Sequence, residues 1–189
     1  MKPPETFDAS GAFETCRVKA GKVLFLREHL VRLAHSLKTV GIASWDNEEV
    51  KASLVRAAKQ IGDGTVRVAL RRAPSPSFLI HSHRGSPYPE AMKRKGISVI
   101  TVATRWPAGE TGIAQAKVSE RLSSILARAE GGEATEVLRF GPLGLLTEGT
   151  ISNLFIVKDR VIVTPPSWLG VLEGVPRSRV LQAARRLGF

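Results

Sequence analysis

Apolar and polar positions alternate over residues 11–18 as in a half-buried strand. Gly21 with Lys22 reads as a turn, and 23–26 as the returning strand of a hairpin. The period then changes to that of a helix, because Leu30, Leu33, Ala34, Leu37 and Val40 recur three and four apart across 28–39, and Gly41 stands where a helix is capped. A second helix is predicted over 47–60, with Val50, Leu54, Ala57 and Ala58 on one face and Ile61-Gly62-Asp63-Gly64 at its end. Alternation returns over 65–72, with 78–81 as the expected partner strand across Pro-Ser-Pro. These elements make a small α+β lobe.

The stretch 83–90, with its prolines, glycine and serines, reads as a linker, so a lobe boundary is placed near residue 90, giving 1–90 and 91–189. The second lobe is predicted as a strand at 97–104, a polar loop at 105–116, a helix at 118–130 and strands at 135–140, 153–157 and 161–164. After Pro165 and Pro166 comes a helix over 176–187. No internal repeat occurs. The chain stops one residue after Gly188, so this lobe is expected to be incomplete. The fold class is thus two-lobed, α+β with α/β.

Charge narrows the function only a little. Lys and Arg number 28 against 17 Asp and Glu, a net +11, yet the cations are scattered and aromatics are only 6% of the chain. A single-strand binder interleaves basic and stacking residues, and that pattern is missing, which argues against nucleic acid; a basic surface or a small anionic ligand fits better. One cysteine, Cys16, excludes an internal disulfide framework. His29 and His35 are six apart on one helix and lack a third ligand, so no metal is expected. With no signal-type N-terminus and no apolar run near the roughly 18 residues a span needs, a soluble cytoplasmic protein without membrane contact is expected.

Several residues carry candidate chemistry. Lys117 follows a polar loop, and by itself such a lysine is a surface cation. Glu148 stands beside Gly149, where by itself it reads first as a turn carboxylate. Gly174-Val175-Pro176 enters a helix, an arrangement that can present backbone N–H groups to a phosphate or be a plain loop with proline in the first turn. Arg32 precedes apolar Leu33 and reads as solvent-facing on helical spacing alone.

Six segments place these residues in a common context: GAFETCRV at 11–18, HLVRLAHS at 29–36, KVSERLSSILAR at 117–128, LTEGTISNLF at 146–155, VKDRVIVTPP at 157–166 and GVLEGVPRSRV at 170–180. In this order they resemble the class IV aminotransferases, the group that includes branched-chain and D-amino-acid aminotransferases and aminodeoxychorismate lyase. The resemblance implies a D-amino-acid aminotransferase-like fold, pyridoxal 5'-phosphate (PLP) as cofactor, a small-molecule amino substrate and a homodimer. It assigns Lys117 as the Schiff-base lysine, whose amine must lose its proton to attack the cofactor aldehyde. Glu148 would face the pyridine nitrogen, where a carboxylate favours the protonated ring and a better electron sink. Arg32 would reach the phosphate, Leu172 would pack on the ring, and Asn153 belongs to the motif around Glu148. Gly174 and Val175 would form the phosphate loop. The family has threonine where Pro176 stands, and proline lacks both the N–H and the hydroxyl. Arg72 and Arg105 lie near family positions that meet substrate carboxylates or the cofactor surroundings.

Within the family, Lys117, Arg121 and Leu122 match a Lys-x-x-Asn-Arg-Leu pattern of aminodeoxychorismate lyases, with Glu120 in place of Asn, and no tyrosine follows Tyr88. A lyase that eliminates pyruvate to leave 4-aminobenzoate is the first expectation, and a branched-chain or D-amino-acid aminotransferase the second. The early stop at Phe189 and Pro176 motivate a third: a truncated member without catalysis.

Overall fold

The computed structural model describes residues 11–71, 77–86, 88–103, 116–118, 122–141 and 143–189. The chain divides into two compact units, one of residues 1–91 with 116–120, the other of 92–115 with 121–189.

In the first unit, strand β1 (Gly11–Lys19) meets β2 (Lys22–Val23) through a two-residue turn. Ala20 and Gly21, not Gly21 and Lys22, occupy that turn, with φ of 48° and 71°. Two consecutive left-handed residues give the backbone twist that tight hairpins require. The returning strand is therefore short, and helix α1 (Leu26–Thr39) starts earlier than periodicity alone predicts. Helix α2 (Asn47–Ile61) begins where Asp46 Oδ1 accepts the backbone N–H of Glu49 at 2.8 Å. Strands β3 (Gly64–Arg71) and β4 (Ser77–Arg84) complete an antiparallel sheet of order β2-β1-β3-β4. The β4 strand runs past its expected end at residue 81 because the ladder continues to Gly64↔Arg84. Only glycine fits at 64, since a Cβ there would lie 2.0 Å from the His83 carbonyl oxygen.

The core of this unit follows the predicted periods. Ala12, Cys16 and Val18 of β1 and Val66, Val68 and Leu70 of β3 share a cluster with Leu33 and Leu37 of α1 and Val50, Leu54 and Ala58 of α2. Each fully buried leucine or valine contributes on the order of 2 kcal/mol.

Residues 116–118 do not open a helix. Phe13 N–H donates to the Lys117 carbonyl at 3.0 Å and Ala12 bridges Val118, so this segment lies along β1. The physical reason is edge pairing: β2 covers only Val18 and Lys19, and the remaining N–H groups on that side of β1 need acceptors.

In the second unit, β5 (Val99–Thr101) pairs parallel with β6 (Glu136–Phe140), which pairs antiparallel with β7 (Leu146–Gly149). Helix α3 (Glu90–Lys95), which was not expected, follows the predicted linker across the boundary of the two units, and α4 (Leu122–Glu130) begins four residues later than the helix predicted at 118. Val102, Ala127 and Val137 form a buried cluster. The strand expected at 153–157 starts only at β8 (Ile156–Lys158), paired with β9 (Val161–Val163), because Asn153 is drawn into a bridge with Glu148. A 3-10 turn (Ser167–Leu169) precedes helix α5 (Val175–Arg186). Among the described residues, no helix is long and apolar enough to cross a membrane, and no three His, Cys, Asp or Glu gather as metal ligands.

Candidate functional site

Lys117 and Arg32 fall in the first unit, and the charges of both act on one buried carboxylate, Glu14. Glu14 points from β1 into the helix-covered face of the sheet and is 1% exposed. Arg32 from α1 grips it with both ends of the guanidinium, Nε to Oε1 at 2.6 Å and Nη2 to Oε2 at 2.7 Å. His29 Nδ1 lies 2.8 Å from Oε2. Burial alone would push the Glu14 carboxyl up, but the hydrogen bonds from Arg32 and His29, with the charges of Arg32 and Lys117, outweigh it and hold the group below its ordinary value of 4.5. Two turns of α1 serve the same neighbourhood: one positions Arg32, the next places Ser36, whose Oγ accepts the Lys117 N–H at 2.9 Å. The Lys117 ammonium stands 4.9 Å from the centre of the Phe13 ring. Cys16, two residues along the same strand face from Glu14, is pushed up to about 12 by burial and by the Glu14 charge.

The second unit gathers the other predicted residues around Glu148, at the end of β7. Its Oε2 accepts the Asn153 amide at 3.1 Å and the Leu172 backbone N–H at 3.0 Å, and Asn153 donates also to the Leu172 carbonyl at 3.0 Å. Leu172, expected as a packing side chain, thus also works through its backbone. Gly174 caps α5, and a Cβ there would lie 2.2 Å from Asn153 Oδ1, so the absence of a side chain is what lets the loop close over Asn153. Val175 opens the helix with Pro176 next to it and no side-chain cap. The N–H groups of Val175 and Arg177 are those that this helix start can offer to an anion, beside the dipole.

Behind Glu148 lies a residue that sequence reasoning missed. Glu136 Oε1 accepts the N–H and the hydroxyl of Thr150 at 3.0 and 2.6 Å and the Val137 N–H at 2.8 Å. Its Oε2 takes the Ser152 hydroxyl at 2.6 Å. Burial would raise this carboxyl, but the donors from Ser152, Thr150 and Val137 prevail and keep it low. The turn carrying Glu148 into Asn153 is therefore tied to β6 by one carboxylate. Gly149 permits the approach, since a Cβ there would meet Glu136 Oε2 at 2.7 Å. Glu14 was also missed, although a carboxylate among Ala12, Cys16 and Val18 on the inward face of an alternating strand is a signal in the sequence. Arg72 and Arg105, as well as Glu120 and Arg121, lie outside the described residues.

Each unit by itself holds donor types that PLP uses: the first the Lys117 amine and the Arg32 guanidinium around Glu14, the second a buried carboxylate fixed by a side-chain amide and a backbone donor, with a glycine loop at a helix start. Comparison with known proteins agrees. The chain is 28% identical over 195 residues to the D-alanine aminotransferase of Bacillus licheniformis, covering 95% of this chain and 67% of that one. The crystal structure of 4-amino-4-deoxychorismate lyase from Pseudomonas aeruginosa is 27% identical with a TM-score of 0.83, over 99% of this chain and 76% of that one. A branched-chain aminotransferase from Thermoproteus uzoniensis, solved with norvaline, is likewise 27% identical with a TM-score of 0.83, over 95% and 67%. The family model for amino-transferase class IV matches residues 11–189, from the first described strand to the last residue, and the chain belongs to that family.

Proposed function

We propose that this chain is a PLP-dependent enzyme of its family that acts on a small amino substrate through Lys117, and that it is a lyase of the aminodeoxychorismate type, releasing pyruvate to leave 4-aminobenzoate. The observation that carries the cofactor reading is the Glu148 carboxylate, 3% exposed and fixed by Asn153 and the Leu172 N–H. A carboxylate held this way is placed to accept a hydrogen bond from a ring N–H without reorganising. When bound, PLP supplies an electron sink for the electrons left at a substrate carbon that has lost a proton.

The chain's own residues supply the rest. Lys117 carries the amine that would hold the cofactor and then move the proton at the substrate carbon. Glu14 keeps the Arg32 guanidinium in one orientation, and an arginine held by a bidentate partner presents its remaining donors in a defined direction. Val175 and Arg177 would offer their N–H groups to a phosphate at the start of α5, in the loop that Gly174 closes. Leu172 would lie against the ring. Arg72 and Arg105 would meet the substrate's carboxylates, and the enzyme would act as a cytoplasmic homodimer.

The lyase preference rests on Lys117, Arg121 and Leu122 and on the lack of tyrosine after Tyr88. The transaminase reading is favoured by identity to the D-alanine enzyme as high as any to a lyase reported above. Adding PLP to the purified chain should give a yellow band, and borohydride should fix the cofactor on Lys117, located by peptide mass; Lys117→Ala should show neither. With the adduct established, 4-aminobenzoate formation supports the lyase, and glutamate-coupled amino transfer supports the transaminase. An unmodified Lys117 overturns the cofactor reading.

A further inference from the structure

Arg139 is the largest fully buried side chain among the described residues, at 0% exposure. It stands on β6, on the strand face that also carries Val137 of the buried cluster, where an apolar residue would be expected. Its guanidinium gathers partners around the candidate site. Nη1 donates to Ser124 Oγ on α4 at 3.2 Å, Nη2 donates to the Gly149 carbonyl at 3.2 Å, and the same Nη2 lies 3.5 Å from Glu148 Oε1. Asn153 and the Leu172 N–H engage the opposite oxygen, Oε2. The two oxygens of Glu148 therefore face different chemistry, a cation on one and neutral donors on the other. All of these groups belong to the second unit.

A buried guanidinium this close must matter to any group that the carboxylate holds. A lone buried carboxylate favours the protonated form of a pyridine nitrogen beside it, because the pair of opposite charges replaces lost hydration. With a guanidinium already against Oε1, part of that need is met within the protein, and the pull on a ring proton falls. We propose that Arg139 is a positioning residue that shares the charge of Glu148, so that a pyridine ring bound there carries a less fully protonated nitrogen than an isolated carboxylate would impose. This rests on the cofactor reading above. It implies a moderated electron sink, suited to a reaction whose leaving group departs readily once the proton is gone.

The test uses PLP labelled with 15N in the ring, bound to the full chain, and reads the nitrogen chemical shift, which differs widely between pyridine and pyridinium. Arg139→Met should move the resonance toward pyridinium, Arg139→Lys should leave it near that of the unaltered chain, and Glu148→Gln should move it toward neutral pyridine. A resonance unchanged in Arg139→Met, or one moved equally by Lys and Met, overturns the proposal, since a purely structural arginine would act in one of those ways. A second measurement needs no cofactor: urea midpoints of Arg139→Met, Glu148→Gln and the double variant. A double variant less impaired than the sum of the two singles supports the pairing, and strict additivity overturns it. Failure of borohydride to fix PLP on Lys117 sinks the cofactor reading and the ring-nitrogen consequence with it, whereas additive midpoints beside an intact adduct sink only the role of Arg139.

Discussion

The Arg32 guanidinium lies across both oxygens of Glu14, at 2.6 and 2.7 Å, inside the face of the sheet that α1 covers. With side-chain exposures of 11% and 1%, the pair is not a surface ion pair of marginal value. Removing one member of a buried pair leaves the other uncompensated. Glu14→Gln should therefore destabilise the chain by about 3 kcal/mol in urea unfolding. A loss under 1 kcal/mol would show that Arg32 finds other partners and is not held by Glu14.

Acid should weaken the fold through the same carboxylates. Glu14 and Glu136 both sit below their ordinary value of 4.5 in the folded chain. As pH falls, the unfolded chain takes up these protons first. The stability they contribute is thus whole above the ordinary value and drains as pH drops through the lowered folded values. Urea midpoints measured from pH 7 down to pH 3 should fall most below about pH 4.5, and Glu136→Gln should flatten part of that slope.

Cys16 is fully buried and its thiol is pushed up to about 12. Only the thiolate reacts appreciably with disulfide reagents, and a buried thiol is also inaccessible. In the native chain at pH 8, Ellman's reagent should therefore modify Cys16 only at the rate of unfolding, with full reaction in denaturant. Rapid native labelling would mean that the β1–α1 face opens readily.

Gly174→Ala places a Cβ 2.2 Å from Asn153 Oδ1. Asn153 cannot turn aside without giving up Glu148 or the Leu172 carbonyl. A cost of about 1–3 kcal/mol in stability is expected, typical of overpacking a closed site. PLP affinity should fall with it, read as the PLP concentration that gives half of the yellow band.

Pro176→Thr should act in the opposite direction. It returns an N–H and a hydroxyl to the first turn of α5, where the dipole and free donors meet an anion. One added charge-assisted hydrogen bond of about 1.5 kcal/mol corresponds to roughly tenfold tighter PLP. Equal affinities in the two chains would place the phosphate elsewhere.

The sequence by itself determined the local elements and named the candidate residues of the site. Periods of two and near four predicted β1, α1, α2, β3 and α5 within a few residues, because burial of one face writes itself into the spacing of Leu33, Leu37, Val66 and Val68. Lys117, Glu148, Asn153 and Gly174 were legible as candidates since they sit in short contiguous motifs. Tertiary structure alone decided what those residues lean on. Val118, predicted as the first residue of a helix, lies with Lys117 along the edge of β1 instead, because strand N–H groups that need acceptors outcompeted local helical preference. Glu136 was joined to Ser152 across 16 residues, Arg32 to Glu14 across 18, and Arg139 to Ser124 across 15. No local period encodes such partnerships; they form because a buried charge must find its counterpart wherever the folded chain brings one.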